Sequence, residues 1–251
     1  MIDRIPALAA MRFLDLTLPG IAENLALDEA LLVEADRRGG GPVLRLWEPE
    51  GLAVVLGASC RWREDVRVEA CRADGVAIAR RSSGGGTVVV GPGTLNVTVV
   101  LPEGAAPGLG AVDTAQAFVL DRIAAALRAR GPAVEVLGLG DLTLDRRKFS
   151  GSAQRRLRTH FLVHASILYD FPLGRVARYT TLPRRQPSYR AGRSHDDFLT
   201  NLGLPHADLV AAVRAAWLDP DRPAGPAAVP EELVKQLLAT KFADPAWIER
   251  L

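Results

Sequence analysis

Ile78-Ala79-Arg80-Arg81-Ser82-Ser83-Gly84-Gly85-Gly86-Thr87-Val88 is the stretch from which the rest of this chain is best read. An extended run ends in two arginines, three glycines follow, and β-branched residues resume at once. Without Cβ atoms, the glycine N–H groups can approach a phosphate or carboxylate closely and adopt φ > 0 where needed. Further along, Arg147-Lys148-Phe149-Ser150-Gly151-Ser152-Ala153-Gln154 again sets cations beside small residues. An ammonium is a compact point charge suited to a phosphate oxygen, and the small residues leave room for a ligand. Together the two segments predict one nucleotide-type site.

The lysine stands out because the chain has 31 Lys plus Arg, and only Lys148, Lys235 and Lys241 are lysines. Against that drift, an ammonium at Lys148 suggests a chemical role. With 251 residues, 48% of them hydrophobic, the chain can bury a large core as one domain. Residues 1–219 are expected to form it, and 220–251 a linker and C-terminal helical tail. A net charge of +2 and the lack of Lys/Arg blocks with interleaved aromatics argue against nucleic acid. Arginine gathers at Arg155, Arg156 and Arg158 and at Arg184, Arg185, Arg190 and Arg193, as an acidic-ligand contact or a solvated cationic face. Cys60 and Cys71 have no CxxC spacing and demand neither a disulfide nor a metal, which fits a reducing cytoplasm. No signal pattern or membrane-length apolar run occurs.

Periodicity predicts a strand over 11–18, a helix over 21–38 and strands over 43–47 and 52–57, the last two joined as a hairpin by Glu48-Pro49-Glu50-Gly51. A short helix over 66–74, ended by Gly75, and strands over 76–80, 87–90 and 95–101 follow. Asp113-Thr114-Ala115-Gln116 reads as a capping box opening a helix to Arg130. Strands over 133–137, 142–144, around 148–150 and over 162–170 come next, with Ser194 starting a helix. Pro220 to Pro230 links the last two helices. Hairpins outnumber crossovers, so the expected fold is α/β (α+β) with a mixed, mainly antiparallel sheet flanked by helices.

Four blocks in order, Ile78 to Val88, Gly140-Asp141-Leu142, Arg147 to Arg155 and His164-Ala165-Ser166-Ile167-Leu168, resemble the signature of the lipoate-protein ligase family, with weaker similarity from Asn24 to Leu31 and on to Arg190 and Thr200-Asn201-Leu202. The resemblance implies the biotin/lipoyl protein ligase fold, akin to class II synthetases. It also implies an activity: lipoate or octanoate is activated with ATP and Mg2+ to acyl-AMP, then passed to a lysine of a lipoyl carrier domain, from a 2-oxoacid dehydrogenase or the glycine cleavage H protein. By position, Lys148 matches the catalytic lysine. Arg81, Ser83, Gly84, Gly85, Gly86 and Thr87 match the loop lining the acyl tail and nucleotide. Ser150 and Gly151 belong to the lysine block, Asp141 matches an acidic residue near the nucleotide and its metal, and His164 a histidine beside the pocket. Val88, Leu95 and Ile167 are expected to wall the acyl chain.

Two departures stand against the family pattern. Val90-Gly91-Pro92-Gly93 replaces the usual His-Asp-x-Gly, and Gly140-Asp141 the usual Asn-Asp. The chain also closes soon after Trp247, so either a separate accessory subunit is expected to assist adenylation or the chain is expected to transfer an acyl group made elsewhere. The rival class is a related octanoyltransferase that moves an octanoyl group from acyl carrier protein through a cysteine thiolate without ATP. Cys60 and Cys71 lie outside the glycine and lysine blocks and read as packing residues, and Ser150 has no general base in its block. A non-catalytic lipoyl-binding homologue is the third reading. Biotin ligation, a P-loop, a dinucleotide fold and a His160/His164 zinc helix all lack their sequence requirements.

Overall fold

The computed structural model describes Leu8, residues 10–221 and residues 224–251. Its strands are β1 (Arg12–Asp15), β2 (Val43–Trp47), β3 (Ala53–Leu56), β4 (Ala77–Arg80), β5 (Val88–Val90), β6 (Thr94–Pro102), β7 (Glu135–Leu137), β8 (Asp141–Leu144), β9 (Arg147–Arg156) and β10 (His160–Leu168). The helices are α1 (Ile21–Arg38), α2 (Trp62–Asp65), α3 (Val68–Ala73), α4 (Val112–Arg128), α5 (Gly174–Tyr179), α6 (His195–Phe198), α7 (His206–Trp217), α8 (Glu231–Leu237) and α9 (Pro245–Ile248). A seven-stranded sheet runs β1-β2-β6-β10-β9-β8-β7, antiparallel except for β1 with β2. A second sheet, β4-β3-β5, is mixed. The expected mixed, mainly antiparallel α/β fold is what the chain adopts. No helix among the described residues is long and apolar enough to cross a membrane.

Alternation along β6 and β10 decides what each face meets. Leu95, Val97, Val99 and Leu101, with Phe161, Val163, Ala165 and Ile167, form one apolar core with α4 and α7. Each buried aliphatic side chain contributes about 1.5–3 kcal/mol there. On the opposite face Val43, Val100 and Leu162 pack on α1. Along the same face the strands then turn polar, and that change makes room for a site. Leu95 and Ile167 therefore do not wall an acyl chain: they point into the α4–α7 core, and only Val88 of the expected trio is on the α1 side.

The expected 43–57 hairpin does not form. β2 pairs with β6, and β3 with β4 and β5. Both strands are buried along their whole length, so their continuous apolar runs carried no information about partners. Glu48 turns the chain out of the large sheet, its carboxylate accepting from Gly93 N at 2.7 Å and from the Tyr169 hydroxyl at 2.9 Å. The Asp113 capping box is also absent, since α4 starts at Val112 without a side-chain cap. Ser194 does cap α6, accepting from Asp197 N.

The C-terminal segment is tied to the glycine-loop region. Arg80, fully buried, donates to the carbonyls of Gly57, Cys60, Ile248 and Arg250, while Trp247 Nε1 donates to Arg80 O. Lys241 Nζ reaches Glu29 on α1 at 2.7 Å.

Candidate active site

Strand register sets out two rows of side chains on the α1 face. Arg45, Thr98, His164 and Ala153 stand across β2, β6, β10 and β9 in the first, and Trp47, Asn96, Ser166, Gly151 and Asp141 across β2, β6, β10, β9 and β8 in the second. Successive same-face residues of a strand lie about 7 Å apart, so the rows are close neighbours. Lys148 joins them through an irregularity. Thr143 pairs with Lys148 but Leu142 pairs with Ser150, an extra residue in β9 that moves Lys148 onto the face of Asp141 and Gly151. A regular strand would have sent it to the core side with Ser150.

Lys148 Nζ binds Asp141 Oδ1 at 2.7 Å and lies over Gly151, where a Cβ would stand 2.7 Å from it. The Lys148 side chain is 25% exposed. Asp141 Oδ2 accepts from the Tyr189 hydroxyl at 2.7 Å. Burial, with the adjacent Asp141 charge, pushes the Tyr189 phenol well above its ordinary range, so it stays a donor.

The glycine loop covers the other row. Gly85 adopts φ +84, a conformation that favours glycine, and its open side rests 3.6 Å from Ala153 Cβ. Ala153 and Gly151 are two residues apart on one face of β9, so Lys148 Nζ sits about one such step from the loop. Gly84, Gly85 and Gly86 are exposed. Arg81, buried, donates to Gly84 O at 2.6 Å, Gly86 O at 2.8 Å and Ser83 Oγ at 3.0 Å. Burial pulls its guanidinium below the ordinary arginine range. Its fork is spent on shaping the loop. Ser83 Oγ also meets His164 Nε2 at 2.6 Å.

Of the residues named from sequence, Lys148, Asp141, Gly151, His164, Ser83, Arg81 and the three glycines are brought together. Thr87 Oγ1 is buried without a hydrogen-bond partner. Ser150 is separated from them: its pairing with Leu142 and Ile167 puts its hydroxyl on the core face. Sequence reasoning gave no role to Asp28, Arg45 or Tyr189. Asp28 lay inside a quoted block, but nothing local marks its reach to His164. Cys60, read as a packing residue outside both blocks, is buried and hydrogen-bonds through Sγ to Gly85 O at 3.4 Å, while Cys71 is buried with its thiol pushed up by burial. Arg190 and Arg193 are engaged within the fold: their guanidinium groups lie over the Phe198 ring and donate to backbone carbonyls.

The model of the lipoyl protein ligase A/B catalytic domain matches residues 20–212. A protein of Aeropyrum pernix bearing a lipoate-protein ligase A name is 35% identical over 156 residues, 62% of this chain and 56% of that one. A Mycoplasma pneumoniae protein named in the same way is 26% identical over 64% of this chain and 46% of its own. The chain thus spans about half the length of these relatives. Among solved structures, a bipartite lipoate protein ligase of Thermoplasma acidophilum, described together with its E2 lipoyl domain, superposes with a TM-score of 0.80 at 21% identity, covering 95% of both chains. A lipoate-protein ligase A bound with ATP gives 0.80 at 20% identity, over 96% of this chain and 99% of that one. The fold is therefore shared along nearly the whole length, and the chain belongs to the lipoyl protein ligase A/B catalytic domain family.

Proposed function

We propose that this chain is an ATP-dependent lipoate-protein ligase: it activates lipoate or octanoate to acyl-AMP and passes the acyl group to a lysine of a lipoyl carrier domain. The observation that carries the reading is the Lys148 ammonium, paired with Asp141 over Gly151, two residues along β9 from the Ala153 on which Gly85 of the glycine loop rests. Carboxylate attack on a phosphorus builds negative charge on phosphate oxygens, and a preorganised cation beside a glycine cradle lowers that barrier. Asp141 fixes the ammonium, and Tyr189 fixes Asp141. Among the described residues no cluster of three metal-ligating side chains occurs. Magnesium fits best as part of the Mg-ATP substrate, taking most ligands from phosphate and water, with Asp141 as the carboxylate in reach.

The thiol-dependent transferase gains less support. Cys71 is buried with a raised pKa, and the Cys60 thiol is buried against Gly85 O. Residues 1–219 act as the catalytic unit, with 220–251 as its linker and tail. The acceptor is the carrier domain of a 2-oxoacid dehydrogenase or a glycine cleavage H protein, an accessory subunit assists adenylation, and the setting is the cytoplasm. With Mg-ATP and lipoate or octanoate, the chain, alone or with that subunit, releases pyrophosphate, and Lys148→Ala lowers the rate by about 10²–10³. ATP-independent transfer from acyl carrier protein, unaffected by Lys148→Ala, would overturn the reading.

A further inference from the structure

A chain of polar groups runs from the sheet to the glycine loop. Arg45 Nη1 donates to Asp28 Oδ1 at 2.6 Å, Asp28 Oδ2 stands 3.5 Å from His164 Nδ1, and His164 Nε2 stands 2.6 Å from Ser83 Oγ. Arg81 Nε closes the far end, donating to the same hydroxyl oxygen at 3.0 Å. A guanidinium only donates and a carboxylate only accepts. In the neutral imidazole, Ser83 Oγ receives Arg81 and points its own hydrogen at Nε2, and the Nδ1 hydrogen faces Asp28. In that tautomer the Nε2 lone pair is aimed at the loop through one hydroxyl.

Amide formation on a carrier lysine needs a base, because an ammonium has no lone pair and a lysine near pKa 10.4 is almost wholly charged at neutral pH. The cluster offers few choices. Lys148 is itself a cation bound to Asp141, and Asp141 holds Lys148 on one oxygen and Tyr189 on the other. Asp28 is sealed behind His164 by its pair with Arg45. Among the described residues, the charged groups bonded to His164 or to its partners are Asp28 from α1, Arg45 of β2 through Asp28, and Arg81 of the glycine loop through Ser83.

We infer that Ser83 and His164 form the proton relay of the transfer half-reaction, with Asp28 as the residue that positions it. The inference rests on the ligase reading. The carrier ammonium gives a proton to Ser83 Oγ as the Ser83 proton passes to His164 Nε2, and Asp28 faces the imidazolium that results. The freed nitrogen lone pair forms a bond to the acyl carbonyl carbon, and the bond from that carbon to the phosphate oxygen breaks. Its electron pair leaves with AMP, whose phosphate takes the second proton shed by nitrogen. His164 then returns its proton to water.

The test supplies chemically prepared lipoyl-adenylate to the full chain and compares two acceptors, a lipoyl carrier domain and hydroxylamine, each corrected for the enzyme-free reaction. Hydroxylamine is uncharged at neutral pH and needs no base to expose its lone pair. In His164→Gln the ratio of lysine transfer to hydroxamate formation should fall on the order of 10²-fold at pH 7, and recover as the pH rises toward that of free lysine. Ser83→Ala, which breaks the relay from its other end, should lower the same ratio, and Asp28→Asn should lower it less. Equal slowing of both acceptors in both His164→Gln and Ser83→Ala, or a ratio that ignores pH, overturns the relay. Wild type that transfers from supplied adenylate but releases no pyrophosphate from ATP overturns the ligase reading and leaves the relay standing. Failure of wild type to transfer at all overturns both.

Discussion

Gly151→Ala separates catalysis from folding more cleanly than removal of the lysine. A Cβ at position 151 would stand 2.7 Å from Lys148 Nζ and 2.9 Å from Lys148 Cε. Ordinary contact begins near 3.4 Å, so the ammonium must retreat by roughly 1 Å. It must also stretch or break its 2.7 Å bond to Asp141. The displaced atoms are the far end of a flexible, part-exposed side chain, so the fold gives way cheaply. Alanine in a strand is also favoured over glycine by about 0.5–1 kcal/mol through the unfolded chain. Stability should therefore stay within about 1 kcal/mol of wild type. A misplacement of about 1 Å at a charge-stabilising group costs on the order of 10²-fold in rate. The assay pairs pyrophosphate release at saturating substrate with a urea midpoint. Near-wild-type kcat would show that the ammonium's position over Gly151 is irrelevant to the chemistry. A midpoint shift equivalent to a loss of more than about 2 kcal/mol would show instead that this glycine serves packing.

Tyr189→Phe strips Asp141 of its second donor, at a cost of about 1–2 kcal/mol in stability, and should lower kcat about 10-fold while leaving KM for lipoate within a factor of 3. A wild-type kcat would mean that Lys148 does not depend on Asp141's orientation. Arg80→Ala strands the carbonyls of Gly57, Cys60, Ile248 and Arg250, a loss of about 3–5 kcal/mol at roughly 1 kcal/mol each. Limited proteolysis should then cut first within residues 244–251, and an unchanged cleavage pattern would count against the tether. Asp74, held down to about 2 by Arg178 and the Tyr179 hydroxyl, contributes stability that is present above the ordinary carboxylate range and lost as pH falls through about 2. Thermal unfolding of Asp74→Asn should lack that share of the acid-side fall between about pH 4 and 2, and a superimposable curve would refute the assignment.

Where local patterning and tertiary pairing agree, the fold was legible. α1 follows the helical spacing over 21–38 and stops at Gly39, whose φ of +62 provides the left-handed turn. β6 and β10 alternate because each has one face on the α4–α7 core. The failures share one cause: pattern reports burial, not partner. β2 and β3, buried on both faces, looked like neighbours because they are adjacent in sequence, although Glu48 sends them to different sheets. β9 was read as a stub around residues 148–150, yet it runs to Arg156. Its arginines disguise it, for Arg155 pairs with Glu29 and Arg156 with Glu103 while lying over the Phe161 ring.

The site was legible to the extent that its parts lie in runs of sequence. Glycines at 84–86 and the Lys148 block announce themselves because close backbone approach and a small-residue floor both need contiguous residues. Side chains that act across the sheet leave no such trace. Asp28 meets His164 only because α1 lies on β10, and Tyr189 meets Asp141 only because its short helical turn returns to the start of β8. Even Lys148 faces its partners by virtue of one extra residue in β9, a feature that composition cannot reveal. That irregularity also explains why Ser150, grouped with Lys148 by sequence, ends on the opposite face. The block supplies the chemistry, and the bulge decides which of its members reaches the ligand side. Inserting one residue between Leu142 and Thr143, opposite Phe149, would restore a regular alternation, swing Lys148 to the α4–α7 core side with Ser150 and bury an unpaired ammonium there. The same insertion in a loop would cost little, so the severity of the effect measures how far the site depends on that one register shift.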